Sequence, residues 1–404
     1  MTKICIGCGS SEVQEKLDLG IQPTSNLYPL NDTEKCPEHL LQLGYCDSCG
    51  LPQLLNPMPF ADVRSRYEWL TYNEPEGHLD DLVDSLCASF QNTSSVKVAG
   101  ITYKDDTTLA RLLTKGVSST YKLDQKKDLG IDDPLASLET IQSVLTVTKA
   151  VKISSRIGLS DVVLVRHILE HAHDPRELLK ACLALCKPGG LVVFEVPDCR
   201  KVLDGQDHCF LWEEHISYFT PVTLKNFFNS SGFTDIQIKV YPYPMEDSLI
   251  ALVRNVVSDV AEPRVSLLEE QARINAFADS FAIKKRRVRS YLEGLKKSGK
   301  RIALFGAGHL AAKYVNFYDL APLLIGVIDD NPNKRGRFMP GSGLPIIGST
   351  SLEAGEVDLC LLTLNPESEM KVRTARKHYL ETGGRFFSIF SASASSLEKE
   401  MPND

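Results

Sequence analysis

The sequence predicts an α/β protein: two tandem doubly wound, Rossmann-like domains preceded by a small zinc-binding module. Two successive series of apolar strand-like runs alternate with helical stretches, and strands joined through helices form parallel sheets. The stretch before them is rich in cysteine, glycine and proline and carries two Cys-x-x-Cys pairs. The length of 404 residues exceeds one ordinary core and suits this division. The expected boundaries are 1–60 for the module, 61–255 for the first large domain, 256–298 for a linking helix and 299–404 for the second large domain.

In the module, Cys5-Ile-Gly-Cys8 and Cys46-Asp-Ser-Cys49 are each followed by glycine, Gly9 and Gly50. Two such knuckles supply the four thiolates of a closed, tetrahedral and hence structural zinc site. A redox dithiol would sit at a βα turn, a context absent around these cysteines.

In the first large domain, strands are expected at Val96–Gly100, Ser119–Asp124, 161–165 and 191–196, with a helix over 107–115. An antiparallel pair, 236–240 and 250–253, closes the sheet. Ligands of doubly wound sheets lie beyond the carboxyl ends of the strands. There the chain places Gly100, Asp105 and Asp106, then Asp124 at ribose-binding position, then Arg166-His167-Ile-Leu-Glu-His171, and Trp212-Glu-Glu-His-Ile-Ser-Tyr-Phe219. Thr107 and Thr108 are expected to cap the helix after the first loop.

The linking helix has Ile274, Phe277, Phe281, Val288, Leu292 and Leu295 at helical spacing, with Lys284-Lys-Arg-Arg287 expected to face solvent. In the second large domain, the strand Arg301–Phe305 runs into Gly306-Ala-Gly308 and a helix through Tyr318. Position 311, where a third glycine would complete a dinucleotide fingerprint, is alanine, so a tight turn without a redox cofactor is the expected reading.

Composition narrows the class further. Hydrophobic residues make up 43% and charged residues 24%, the mix of a soluble globular chain. A net charge of −7 argues against nonspecific nucleic-acid binding, which needs a basic surface. No apolar run approaches the roughly 20 residues that span a bilayer, so no membrane partner is expected. The first residues lack a signal peptide's apolar core, which points to a cytoplasmic protein whose other seven cysteines stay reduced and pack as small apolar groups. Oligomeric state leaves no trace in the sequence.

Three sets of residues in register resemble the nucleotide-sugar C-methyltransferases. The first is Cys5-x-x-Cys-Gly with Leu17-Asp-Leu-Gly-Ile-Gln-Pro23, Asn26 and Cys46-x-x-Cys-Gly-Leu-Pro-Gln53. The second is Arg166–His171 with Glu214-His-Ile-Ser-Tyr-Phe219; the third is Gly306-Ala-Gly308 with Asp329-Asp-Asn-Pro332 and Pro345-Ile346. The resemblance implies a class I methyltransferase domain that binds S-adenosylmethionine, and a nucleotide-linked keto-deoxysugar held between the two larger domains. It implies methylation at a carbon next to a ketone, through a base-generated enolate. His215 would be the base, Glu214 would orient it or contact the sugar, and His171 would hydrogen-bond substrate or enolate.

Two departures stand out. Trp212 occupies a position where the family has tyrosine; Tyr72, in the segment leading into the first large domain, is the candidate to restore the hydroxyl. Of the glycines usual in the cofactor loop only Gly100 remains, and Lys104 brings positive charge near a sulfonium, leaving Asp105, Asp106, Asp124, Arg166 and His167 as the cofactor-binding candidates. Two alternatives follow: an NAD(P)-dependent sugar reductase using Gly306–Gly308 and Asp329, and a non-catalytic binding protein with a degenerate cofactor loop.

Overall fold

The computed structural model describes residues 3–31, 33–70, 74–257 and 266–402. Tyr72 lies outside these. Contacts divide the chain into two compact units: 1–15, 43–200 and 214–271 form the first, and 16–42, 201–213 and 272–404 the second. This differs from the linear division expected from sequence. The zinc-module cysteines share a unit with the first large sheet, whereas 16–42 and 201–213 fold with the second. Tertiary bonds explain the latter: Tyr28 donates its hydroxyl to the Ala307 carbonyl, Lys313 Nζ donates to the Pro23 carbonyl, and Ser25 N–H donates to Glu213.

Strands β1 (Val13–Pro23), β2 (Glu38–Cys46) and β3 (Pro52–Leu54) make a three-stranded sheet in that order. In the first unit follow β4 (Lys97–Gly100), β5 (Ser119–Lys122), β6 (Ser160–Arg166), β7 (Cys186–Asp198), β8 (Ile236–Tyr241) and β9 (Asp247–Arg254). They form one sheet in the order β5-β4-β6-β7-β9-β8. The first four are parallel, and β9 runs antiparallel to both neighbours, as the closing pair predicted. Along β6, Val163 and Val165 pack into one apolar layer while Val162 and Leu164 pack into the other. Both faces are covered, which is why this strand reads as a continuous apolar run.

The second unit holds β10 (Ile302–Phe305), β11 (Gly326–Ile328), β12 (Ile346–Ile347), β13 (Leu359–Leu362) and β14 (Arg385–Ser388), all parallel, in the order β12-β11-β10-β13-β14. The linking helix runs over Leu268–Lys297. Lys284, expected at its surface, is buried, because Asp207 at 3.4 Å and Glu398 offer it paired carboxylates. Among the described residues no helix is long and apolar enough to cross a membrane.

Candidate active site

The strand order reverses between β4 and β6, so the switch-point crevice of the first unit opens beyond Gly100 and Arg166. The loop leaving β4 is closed by its own side chain. Asp105 Oδ2 accepts the N–H groups of Ile101 at 2.7 Å and Thr102 at 2.9 Å, and Oδ1 accepts Arg166 N–H at 3.2 Å. Burial, partly offset by these donors, pushes the Asp105 carboxyl up to about 7. Gly100 is needed for this approach: a Cβ there would lie 2.8 Å from Asp105 Cβ. The cap is Thr102, paired with Asp105 in a capping box, in place of the expected Thr107 and Thr108; it closes a short 3₁₀ turn that leads into the helix Asp106–Thr114.

Arg166 is buried and bonds Glu195 and the Lys104 carbonyl. His167 adopts a positive φ of 50°, a strained conformation for a non-glycine residue, held by its N–H bond to Glu195 O and by Nε2 against Glu195 Oε1 at 3.2 Å. His78 and Ser248 also converge on Glu195, at 2.9 Å and 2.8 Å. Burial disfavours charge on His167, but Glu195 and Glu170 outweigh it and raise its pKa to about 10. Lys104 does not face the crevice alone, since Glu74 pairs with it at 2.6 Å.

The predicted cofactor residues therefore separate. Asp105, Arg166 and His167 are committed to one another and to Glu195, so they shape the loop. Asp106 is exposed and pairs with Lys122 at 2.7 Å. Asp124 stands exposed just past β5, with Oδ1 accepting Lys127 N–H at 2.6 Å.

The predicted catalytic residues that are described come together. The Glu170 carbonyl accepts the N–H groups of Ile216 at 2.7 Å and Ser217 at 3.1 Å, which brings the Glu214-His215 segment against the turn after β6. The rings of His171 and His215 meet edge-on, 4.7 Å between centroids. Donor atoms of Glu139, His171 and Glu214 lie within 4.8 Å of one another, as do those of Glu170, His171 and His215. Glu139 escapes a reading of the sequence, where it is one acidic residue in a helix first turn; Glu170 lies inside the Arg166–His171 motif, and that placement was its only signal.

The four cysteines are brought together in the first unit. Cys5 and Cys49 sulfurs lie 3.7 Å apart, Cys8 and Cys46 sulfurs 3.6 Å. Zn–S bonds of about 2.3 Å in a tetrahedron place sulfurs about 3.8 Å apart, so the set fits zinc. Gly9 and Gly50 have φ of 77° and 81° and close each knuckle with an N–H bond to Cys5 O or Cys46 O, which explains the glycine after each pair. The module also reaches the Glu214-His215 segment. Leu54 N–H donates to Ile216 O at 2.9 Å, Tyr218 N–H donates to Pro52 O at 3.0 Å, and Gln53 bridges Ser217.

In the second unit the strand order reverses between β10 and β13, and Gly306 follows β10 at that point. A Cβ on Gly306 would meet Leu364 at 2.6 Å. Asp329 accepts Ala307 N–H at 2.9 Å and pairs with Lys334 at 3.2 Å. Trp212 stacks on His309, ring centroids 4.1 Å apart, and Glu213 pairs with Lys313 at 2.6 Å with both side chains fully buried. The indole thus serves as a packing element of this unit.

Three family models match the chain in order: "Putative zinc binding domain" over residues 5–63, "Methyltransferase domain" over 96–238 and "C-methyltransferase C-terminal domain" over 249–390. The C-methyltransferase NovU of Streptomyces niveus is 28% identical over 259 residues, 62% of this chain and 61% of NovU. A ubiquinone biosynthesis O-methyltransferase of Pectobacterium atrosepticum is 37% identical over 73 residues, 17% of this chain and 30% of that protein. The chain therefore spans less than two thirds of the length of these relatives. Among solved structures, a Burkholderia thailandensis 1,6-didemethyltoxoflavin-N1-methyltransferase with bound S-adenosylhomocysteine is 15% identical, covering 46% of this chain and 80% of that one, with a TM-score of 0.30. Segment by segment, the chain is similar to a zinc-binding domain, a methyltransferase domain and a C-methyltransferase C-terminal domain.

Proposed function

We propose that the chain is an S-adenosylmethionine-dependent C-methyltransferase that acts next to a ketone on a nucleotide-linked sugar, with a structural zinc ion on Cys5, Cys8, Cys46 and Cys49. The observation that carries this reading is the paired imidazoles of His171 and His215 among buried carboxylates, in the unit whose switch-point crevice begins at Gly100. When bound, S-adenosylmethionine supplies an electrophilic methyl group; Asp124 would hold its ribose, and the Gly100–Thr102 backbone would face its methionine end. His215, half-buried, removes the proton from the carbon beside the ketone. The bonds of Ile216 and Ser217 to the Glu170 carbonyl hold it in reach. His171 donates to the oxygen on which enolate charge develops, and Glu214 orients the base or the sugar. Tyr72 remains the candidate hydroxyl.

The test is mass spectrometry of a nucleotide-sugar panel incubated with methyl-labelled cofactor. His215→Asn should abolish labelling while S-adenosylhomocysteine still binds in calorimetry; retained labelling removes His215 as base. A second reading, a binding protein without catalysis, draws on Asp105 occupying the Ile101 and Thr102 amides. Absence of S-adenosylhomocysteine binding to wild type would favour it. The reductase alternative loses ground because the Asp329 carboxylate is engaged by Ala307 and Lys334.

A further inference from the structure

Glu139 lies in the first turn of the helix Leu138–Val144 and is 4% exposed. Its Oε1 is 3.0 Å from His171 Nδ1, and Ser137 Oγ donates to its Oε2. A buried carboxylate this close to one ring nitrogen favours the charged form of the imidazole by charge attraction. The His171 ring also meets that of His215 edge-on. Two imidazoles in contact do not both carry charge readily, so a carboxylate that favours the cation on one leaves the other neutral and able to accept a proton.

We propose that Glu139 is a positioning residue that holds His171 as the charged donor to the enolate oxygen, leaving His215 as the base. This deepens the function proposed above and rests on it. Groups facing His171 are Glu139 from its helix, Glu170 and His167 from the turn after β6, and Glu214 and His215 from the segment docked on that turn. Tyr103 and His173 also lie within the field of Glu139. Burial disfavours charge on His171, but Glu139 and then Glu170 outweigh it, and His171 in turn lowers the Glu139 carboxyl.

The experiment is a pH titration of the histidine rings by NMR in the full-length, zinc-loaded protein, with His171 and His215 assigned from His171→Gln and His215→Asn. In wild type, His171 should titrate above the ordinary histidine range and above His215. Glu139→Gln should lower the His171 midpoint by about one pH unit or more. It should also reduce kcat roughly 100-fold with KM little changed, moving the pH profile on its alkaline side. Glu139→Asp, which keeps the charge, should recover part of both, and it carries the test alone if the Gln variant does not fold. A His171 midpoint unmoved in Glu139→Gln, or unrecovered in Glu139→Asp, overturns the proposal. Failure of wild type to methylate any sugar nucleotide would sink the function while the ring titration still decides the pairing. Methylation with unchanged kcat in Glu139→Gln would sink the positioning role alone.

Discussion

Removing zinc should loosen the segment that carries His215, although the ion sits on four cysteines away from the imidazole. The coupling runs through β3. Its residues pair with β2 at Leu43, Gly44 and Tyr45, next to Cys46, and Gln53 Oε1 accepts Ile6 N–H at 2.9 Å inside the first knuckle. Across β3 lie the bonds from Leu54 N–H to Ile216 O and from Tyr218 N–H to Pro52 O. A third tie, Asn226 Nδ2–H to Cys49 O at 3.0 Å, anchors the helix that follows. Three bonds at a net of about 1 kcal/mol each give about 3 kcal/mol of protection. Loss of that protection corresponds to roughly 100-fold faster exchange. Hydrogen exchange by mass spectrometry, before and after chelation or in Cys49→Ser, reads this on peptides covering 52–54 and 216–218. Both should accelerate together, with β6 and β7 unchanged. Fast exchange at 52–54 with unaltered protection at 216–218 would refute the clamp.

Three other outcomes follow from the same physics. Glu195→Ala should cost about 3–5 kcal/mol in urea unfolding, because it strands the buried Arg166 and His167 cations; Glu195→Gln, which keeps the volume, tests whether charge is the cause. Gly100→Ala should cost roughly 1–3 kcal/mol by overpacking against Asp105, and a neutral melting temperature would contradict the close approach described. His208 and His309 are held neutral in the second unit, down to about 4 and about 3: burial is the main cause for both, with Lys313 and Lys334 adding to it at His309. The unfolded chain takes up these protons near pH 6.5, so stability is intact above that value and falls as pH drops toward 4. Trp212 fluorescence in a Trp69→Phe background should follow the loss, and a flat response from pH 7 to 4.5 would refute it.

Legibility tracked range along the chain. The strands around Val163, Val193, Leu304 and Leu361 were readable because burial on both faces demands unbroken apolar runs of strand length. The zinc knuckles were readable because a tetrahedral ion and a tight turn constrain neighbouring residues. Lys284 was misread, since helical spacing assigns a face but does not reveal a carboxylate such as Asp207 waiting far away in sequence. The cap came out elsewhere than at Thr107 and Thr108, because it was sought in the helix's own first turn, whereas Thr102 and Asp105 close the 3₁₀ turn before it.

By itself the sequence determined which segments become strands and helices and where the four thiolates gather, since each follows from local periodicity or spacing; His171 and His215 stood out through the resemblance of their motifs to a known family. Only tertiary structure decided that Glu139 faces His171, that Trp212 and Glu213 fold with one unit and Glu214 and His215 with the other, and that Asp105 turns inward. Those outcomes depend on which buried charges find partners, and partners for a buried charge are chosen by proximity in space, to which position along the chain is a poor guide.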